Sequence, residues 1–369
     1  MSGFLNRLRL LPWSMIGILC LIGLIGILML YSAGNGSFYP WANKQGLRFV
    51  FAFILMLLVA QSDIRRWLHY SYAIYCVAFL LLLVVEGVGL IGMGAQRWID
   101  LYFFHLQPSE VMKIALVLAL ARFFHQTQKE DLSRFRTLLI PLMLIIAPVA
   151  LVMKQPDLGT AIILFGLGVA LFFIAGVSIY YFMGGGILLV ALIPIMWHFL
   201  HQYQRNRVLN FLNPEHDPLN TGYQILQSKI ALGSGGLFGK GYLKGSQSHL
   251  NFLPAKQTDF IFTMLCEEWG LFGGFFLIMC YVFLMIYGLR VASSNRNRFG
   301  RLVATGMIMT LFLYVFINMA MVMGLVPVVG VPLPFITYGG TSLLTLMIGF
   351  GLIFAVDQNR DRSGPRFLT

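Results

Sequence analysis

Charge is scarce in this chain: only 11% of its 369 residues are Asp, Glu, Lys or Arg, against 58% hydrophobic ones. With a mean hydropathy of +0.79, the apolar content exceeds what a soluble core absorbs. That excludes an ordinary water-soluble domain and leaves a polytopic membrane protein. Cysteine is scarce too. The four present, Cys20, Cys76, Cys266 and Cys280, fall in or beside apolar runs at spacings that suit neither a metal site nor a disulfide framework, and read as packing residues. No Gly-x-x-x-x-Gly-Lys-Ser/Thr occurs. Gly233, Gly235, Gly236, Gly239, Gly241 and Gly245 are therefore expected to provide flexible, close-approach backbone rather than a nucleotide phosphate loop. The net charge of +12 would suit nucleic acid, but most of it lines helix ends on one side of the membrane. Snorkelling to anionic headgroups accounts for it, so the expected partner is membrane lipid and no nucleic acid.

What is present in quantity is apolar sequence, in ten runs that read as ten transmembrane helices. They fall near Pro12 to Tyr31, Gly46 to Ala60, Leu68 to Val85, Val111 to Phe124, Leu138 to Met153, Leu158 to Ala175, Ser178 to Phe199, Trp269 to Leu289, Leu302 to Val326 and Leu343 to Val356. The fold class is thus all-α. The second and fourth runs are short for a perpendicular crossing, which takes roughly 20 residues, and each also suits a tilted or dipping element. Alternation through all of them places Arg7, Arg9, Arg65, Arg66, Lys129, Arg134, Arg136, Arg290, Arg296, Arg298, Arg301, Arg360, Arg362 and Arg366 on one side. The positive-inside rule makes that side the cytoplasm and puts both termini there. The first apolar run exceeds the roughly 7 to 15 residues of a signal-peptide core, so an uncleaved first helix is expected.

Between the seventh and eighth runs the chain leaves hydrocarbon for a basic loop, residues 201–260, carrying Arg205, Arg207, Lys229, Lys240, Lys244 and Lys256 against Glu215, Asp217 and Asp259. Its positive field attracts anionic groups near the membrane surface. Between Tyr223 and Leu232, Ile225, Leu226 and Ile230 suggest a short amphipathic helix lying on the bilayer.

Ionisable groups at membrane depth are functional candidates, because removing one from water costs several kcal/mol unless it finds a partner or a wet cavity. Glu110 and Lys113 stand three apart, as do Lys154 and Asp157, and both spacings place opposite charges on one helical face. Either pair also suits a purely structural role. Topology, however, brings Glu110, Lys113, Lys154, Asp157 and Asp259 to the same outer face, where they would form a pocket. Glu267 and Glu268 mark the interface next to Trp269. With continuous helix, Asp259 then sits roughly 15 Å above the core, at headgroup height. Asp259 before Phe260-Ile261-Phe262 also suits a helix cap, and Glu110 after Pro108 suits a helix start. Clustering at one surface favours surface chemistry over a proton or ion pathway.

These residues sit in motifs that together resemble the SEDS family of shape, elongation, division and sporulation proteins. The motifs are Gly94-Ala95-Gln96-Arg97-Trp98, Gln107-Pro108-Ser109-Glu110 with Lys113, Gln155-Pro156-Asp157-Leu158-Gly159-Thr160, the run from Gly222 to Gly241, Thr258-Asp259-Phe260, and Asn318 through Gly324, Pro327 and Gly330 to Tyr338-Gly339-Gly340-Thr341-Ser342. Departures are Thr337 for the usual Ser, Tyr102 where Gly is common and His105 where Arg is common. The resemblance implies one integral membrane domain over residues 1–369. It implies a peptidoglycan glycosyltransferase that polymerises lipid II on the outer face of the bacterial cytoplasmic membrane for cell elongation and releases undecaprenyl diphosphate. The implied partners are a class B penicillin-binding protein transpeptidase and other elongation-complex membrane proteins.

The resemblance puts the catalytic aspartate on Asp259 and further functional positions on Arg97, Glu110, Lys113 and Asp157. In such a reaction a base takes a proton from the attacking sugar hydroxyl while cations stabilise the departing diphosphate. Arg97, Lys113 and the loop lysines Lys229 and Lys240 are candidates for the diphosphate. A divalent cation, Mg²⁺ or Mn²⁺, held by Glu110, Asp157 or Asp259 is an alternative, since two or three carboxylates with phosphate oxygens suit it. An ordinary aspartate titrates near pH 4 and is a weak base, so the reaction needs coupled proton transfer or a pKa raised by burial. A lipid II flippase and a noncatalytic scaffold of the wall-synthesis complex are the rival functions.

Overall fold

The computed structural model describes residues 11–92, 95–100, 105–128, 130–199, 202–213, 221–250, 252–253 and 255–359. Arg7, Arg9, Gly94, Tyr102, Lys129, Glu215, Asp217, Arg360, Arg362 and Arg366 lie outside them. Helix dominates because a chain in hydrocarbon must satisfy every backbone N–H and C=O within itself. Among the described residues, ten helices of 18 residues or more follow one another: α1 (Trp13–Ala33), α2 (Ala42–Ala60), α3 (Ile64–Val88), α4 (Pro108–Gln126), α5 (Phe135–Lys154), α6 (Leu158–Ala175), α7 (Ile179–Phe199), and, after the long connection, α11 (Ile261–Ser294), α12 (Arg298–Val322) and α13 (Thr341–Gln358). The connection itself holds α8 (Gln202–Leu212), α9 (Thr221–Ser234) and the single turn α10 (Ser246–His249).

Eight of the long helices, all but α4 and α7, are long and apolar enough to cross a membrane, so the chain is a multi-pass membrane protein. Helix α2 runs for 19 residues, which removes the expectation of a short dipping segment there. Helix α4 also runs for 19 residues but carries Glu110, Lys113 and Arg122. It tolerates them because it is the core of the bundle, buried along most of its length between α3, α6 and α12. Helix α13 packs on α2, and α11 on α12. Helix α7 stands apart: Ile179, Tyr180, Met183, Ile187, Leu188 and Val190 are all exposed.

The all-helical expectation misses one small feature. Strands β1 (Leu90–Gly92), β2 (Ala95–Asp100) and β3 (His105–Leu106) form an antiparallel sheet between α3 and α4. Leu90 pairs with Trp98 and Ile99 with Leu106. A segment this short carries no periodicity distinguishable from loop.

The eighth long helix departs further from expectation. It starts at Ile261 rather than near Trp269, and Gly270 breaks it with φ 71° and ψ −167°, a conformation that only glycine adopts at low cost. The backbone of residues 237–239 fills the break: a Cβ on Gly270 would lie 2.3 Å from the Gly239 nitrogen. The stretch from Asp259 to Trp269 is helical from Ile261 onward, and the break falls just beyond its inner end. Glu267 and Glu268, expected at the interface, are buried because the loop folds over them. Glu267 pairs with Lys240 at 2.8 Å and accepts from the amide of Gln247. Glu268 accepts from the hydroxyl of Ser32 at 2.5 Å and faces His249 at 3.3 Å. The amphipathic segment is likewise docked on protein: in α9, Ile225 is buried and the Ser228 hydroxyl donates to the Val322 carbonyl at 2.7 Å.

Candidate functional site

Asp259 occupies the turn that precedes α11. The cap position of that helix belongs to Phe260 and no side chain caps it, so the cap reading of Asp259 is not realised. Its backbone is nevertheless held from several sides. The Asn318 amide donates to the Asp259 carbonyl at 3.1 Å and to the Val331 carbonyl at 2.7 Å. The Tyr338 amide donates to the Gln257 carbonyl at 3.0 Å, and the Thr337 hydroxyl to the Thr258 carbonyl at 3.4 Å. Among the described residues, no donor is hydrogen-bonded to the carboxylate itself. Gly330, at φ 72°, leaves room beside it: an added Cβ would stand 3.6 Å from the Asp259 Oδ2.

The carboxylate is partly exposed, yet protein surrounds enough of it for burial to push its pKa up to about 6. The guanidiniums of Arg207 and Arg97 pull in the other direction, and the Asp157 carboxylate adds to the rise. An acid with a pKa near 6 is still ionised at neutral pH and is a stronger base than a free aspartate. Burial thus supplies the raised basicity that the sequence left open.

Asp157 is the opposite case. It is buried and caps α6, accepting from the Thr160 amide at 3.2 Å, the Thr160 hydroxyl at 3.0 Å and the Gln107 side-chain amide at 3.1 Å. Arg97 approaches it at 3.9 Å and donates to the carbonyls of Gln155 and Pro156. Strand β2 delivers Arg97 to the break between α5 and α6 in this way, which explains why a small sheet sits there.

Glu110 and Lys113 form the predicted i,i+3 pair at 2.7 Å, both buried. The pair has a third member from a distant helix: the Tyr314 hydroxyl donates to Glu110 at 2.5 Å and also contacts the Lys113 ammonium. A buried charge pair of this kind survives only when its remaining hydrogen-bonding positions are filled. Lys113 is thereby committed to α4 and α12 rather than open to a diphosphate.

The loop lysines divide. Lys240 is tied to Glu267, whereas Lys229 is exposed and lies over Gly324, its Cε 2.4 Å from where a Cβ would be. Lys154 does not pair with Asp157. The helix ends between them, and Lys154 instead bonds to Glu86 of α3. The three-carboxylate metal set is not assembled either: among the described residues, no group of three His, Cys, Asp or Glu side chains is arranged to hold a metal ion. Glu110 is occupied by Lys113 and Tyr314, and Asp157 by its cap bonds, which leaves Asp259 alone of the three.

Sequence reasoning passes over Glu86, Tyr314 and Arg48, and reaches Asn318 only as the start of a motif, without its bond to the Asp259 carbonyl. Tyr314 and Asn318 are separated by one helical turn, a spacing that carries a signal only once a partner is known. Arg48 and Glu86 were hidden inside or beside apolar runs, where an isolated charge at membrane depth was the available clue.

Comparison with known proteins gives concordant results. The family model described as cell cycle protein, covering FtsW, RodA and SpoVE, matches residues 11–362. Peptidoglycan glycosyltransferase MrdB of Escherichia coli strain K12 is 42% identical over 97% of this chain and 96% of its own length. Stage V sporulation protein E of Bacillus subtilis strain 168 is 36% identical over 90% and 93%. Among solved structures, a chain from work on structural coordination of polymerization and crosslinking by a peptidoglycan synthase complex has a TM-score of 0.82 at 28% identity, covering 95% of this chain and 98% of that one. The rod shape determining protein RodA of Thermus thermophilus has a TM-score of 0.72 at 26% identity over 95% and 97%.

Proposed function

The chain belongs to the FtsW, RodA and SpoVE family of cell cycle proteins and is a peptidoglycan glycosyltransferase, and we propose that Asp259 is the base of its reaction. The observation that carries this is a carboxylate whose backbone is clamped, whose oxygens accept no hydrogen bond from the described residues, and whose pKa burial raises to about 6. In the proposed step a sugar hydroxyl of one lipid II molecule attacks the anomeric carbon of another lipid-linked glycan. The new C–O bond forms with inversion as the bond to the diphosphate breaks. The proton goes to Asp259 and the electron pair to undecaprenyl diphosphate. Arg207 and Arg97 act on Asp259 from nearby, and they and the exposed Lys229 are the cations placed to meet the departing diphosphate.

A divalent cation enters this reading as the counterion of the diphosphate itself, with Asp259 as its single open carboxylate. Polymer yield titrated against Mg²⁺ tests that. The chain sits in the bacterial cytoplasmic membrane with both termini inside and Asp259 on the outer face, as the distribution of Arg and Lys favours. The likeness to a chain of a complex that coordinates polymerization with crosslinking supports a class B penicillin-binding protein as partner within a larger elongation assembly. The glycosyltransferase relatives leave the flippase and scaffold readings without support of their own.

The test incubates wild-type and Asp259→Asn protein, each with its penicillin-binding partner and a transpeptidase inhibitor, with labelled lipid II and Mg²⁺. Polymer from wild type alone is expected. Polymer from both would remove Asp259 as base.

A further inference from the structure

A cation of the bundle close to the site is not used by the reading above. Arg48 lies on α2, a helix apolar enough to cross the membrane, and is half-buried. Among the described residues it has no carboxylate partner; its guanidinium stacks 4.7 Å over the ring of Tyr338. Of the other cations near the site, Lys113 is held by Glu110 and Lys240 by Glu267, while Arg207, Arg97 and Lys229 serve the departing diphosphate in the reading above. A half-buried guanidinium stacked on a ring still has its N–H donors open to an anion.

Its location ties it to Asp259. The Gln45 side chain, three residues before Arg48, donates to the Thr337 carbonyl at 3.0 Å and accepts from the Gly339 amide at 3.3 Å. The next residue in that segment, Tyr338, is hydrogen-bonded to Gln257, two residues before Asp259 and at most about 7 Å from it along the chain. Arg48 and the turn that carries the base thus both rest on the segment 337–339, Arg48 through the Tyr338 ring and the turn through the Tyr338 amide. It is not among the charges that act on Asp259, which are Arg207, Arg97 and Asp157. Lys44, one turn earlier on the same face of α2, is exposed and extends the positive surface outward.

Joining two lipid-linked sugars brings two diphosphates to one enzyme, and only one of them is cleaved. The cleaved diphosphate adjoins the anomeric carbon and so belongs beside Asp259. The surviving diphosphate is separated from the attacking hydroxyl by the sugars of its own molecule and belongs some distance away. We propose that Arg48, planted on Tyr338, binds the diphosphate of the lipid-linked substrate that is not cleaved in the step. This rests on the reading of Asp259 as base. A planar guanidinium suits it, since two of its N–H groups can meet two phosphate oxygens at once.

The test measures initial polymerisation rates against lipid II concentration for wild type, Arg48→Gln, Arg48→Lys and Asp259→Asn, each in complex with its penicillin-binding partner. The proteins are reconstituted in nanodiscs of phosphatidylcholine alone and of phosphatidylcholine with phosphatidylglycerol. The expected result is a half-saturating concentration raised about tenfold in Arg48→Gln, with the maximal rate within about twofold of wild type and partial recovery in Arg48→Lys, in both lipid compositions. An unchanged curve, a fall in maximal rate alone, or an effect confined to discs with phosphatidylglycerol would overturn the proposal, the last by assigning Arg48 to bulk lipid headgroups. Loss of folded protein in Arg48→Gln is met by Tyr338→Leu, which removes the ring under the guanidinium and should shift the same concentration. Polymerisation by Asp259→Asn would instead refute the base and leave the Arg48 comparison readable.

Discussion

Asp157 and Asp259 stand at equivalent places, each just ahead of a long helix at the same end of the bundle, and the protein treats them in opposite ways. Asp157 is saturated: the Thr160 amide, the Thr160 hydroxyl and Gln107 all donate to it, with Arg97 alongside. Asp259 has its backbone bound and its carboxylate left without a hydrogen bond from the described residues. A saturated carboxylate holds structure together because taking a proton would break its bonds. An unsaturated one placed among arginines is free to exchange a proton with a substrate. The position of an acidic residue before a helix does not separate these roles, whereas the count of donors around it does.

Replacing Asp259 by Asn should sharpen the contrast most. A general base contributes typically about 10² to 10⁴ in rate, so polymer synthesis should fall by at least about 10²-fold with the protein still folded. A variant within about twofold of wild type in the lipid II assay would erase the distinction between the two aspartates.

The Glu110–Lys113–Tyr314 cluster extends the comparison, as it is more deeply saturated than Asp157. Lys113→Met strands the Glu110 carboxylate in the core, and breaking a buried pair in this way typically costs about 3 to 5 kcal/mol. Folded protein recovered in detergent should drop sharply, and thermal unfolding should begin well below that of wild type. An unchanged melting curve would mean that the cluster is not structural.

A smaller effect carries a sign. The folded-state pKa of Asp259 is raised, to about 6, above an unfolded value near 4. Its contribution to stability is thus fully present below about pH 4 and is lost as pH rises through about 6. At neutral pH, Asp259→Asn should therefore stabilise the protein, on the order of 1 kcal/mol given partial exposure. Asp157→Ala should destabilise it by about 1 kcal/mol through the lost cap. Melting shifts of the same sign for both variants would count against the contrast.

How much of this was legible beforehand varies with the physics involved. The helices were visible because hydropathy over about 20 residues is a strong signal, and Glu110 with Lys113 was visible because i,i+3 is local. Lys154 illustrates the limit: three residues from Asp157, it pairs with Glu86 on another helix because the chain breaks between Lys154 and Asp157. Tyr314 closes the Glu110 pair from 204 positions away, beyond any local pattern. The break at Gly270 was equally hidden, since a glycine in an apolar run does not announce a positive φ. Glu267 and Glu268 read as interfacial because two adjacent carboxylates are costly in hydrocarbon, and the loop that folds over them to be clamped leaves no local signal. Asp259 was found by its place beside the basic loop, but its freedom from a capping role and its raised pKa needed the fold.

The most direct test of the central claim is the pH dependence of kcat/KM for lipid II polymerisation by the wild-type complex, which reports the ionisation of the free enzyme's essential base. The account predicts a rate that rises with pH, with a midpoint near the value of about 6 assigned to Asp259, and then levels off toward pH 8. A profile that stays flat from pH 5 to pH 8 while the complex remains folded would contradict it.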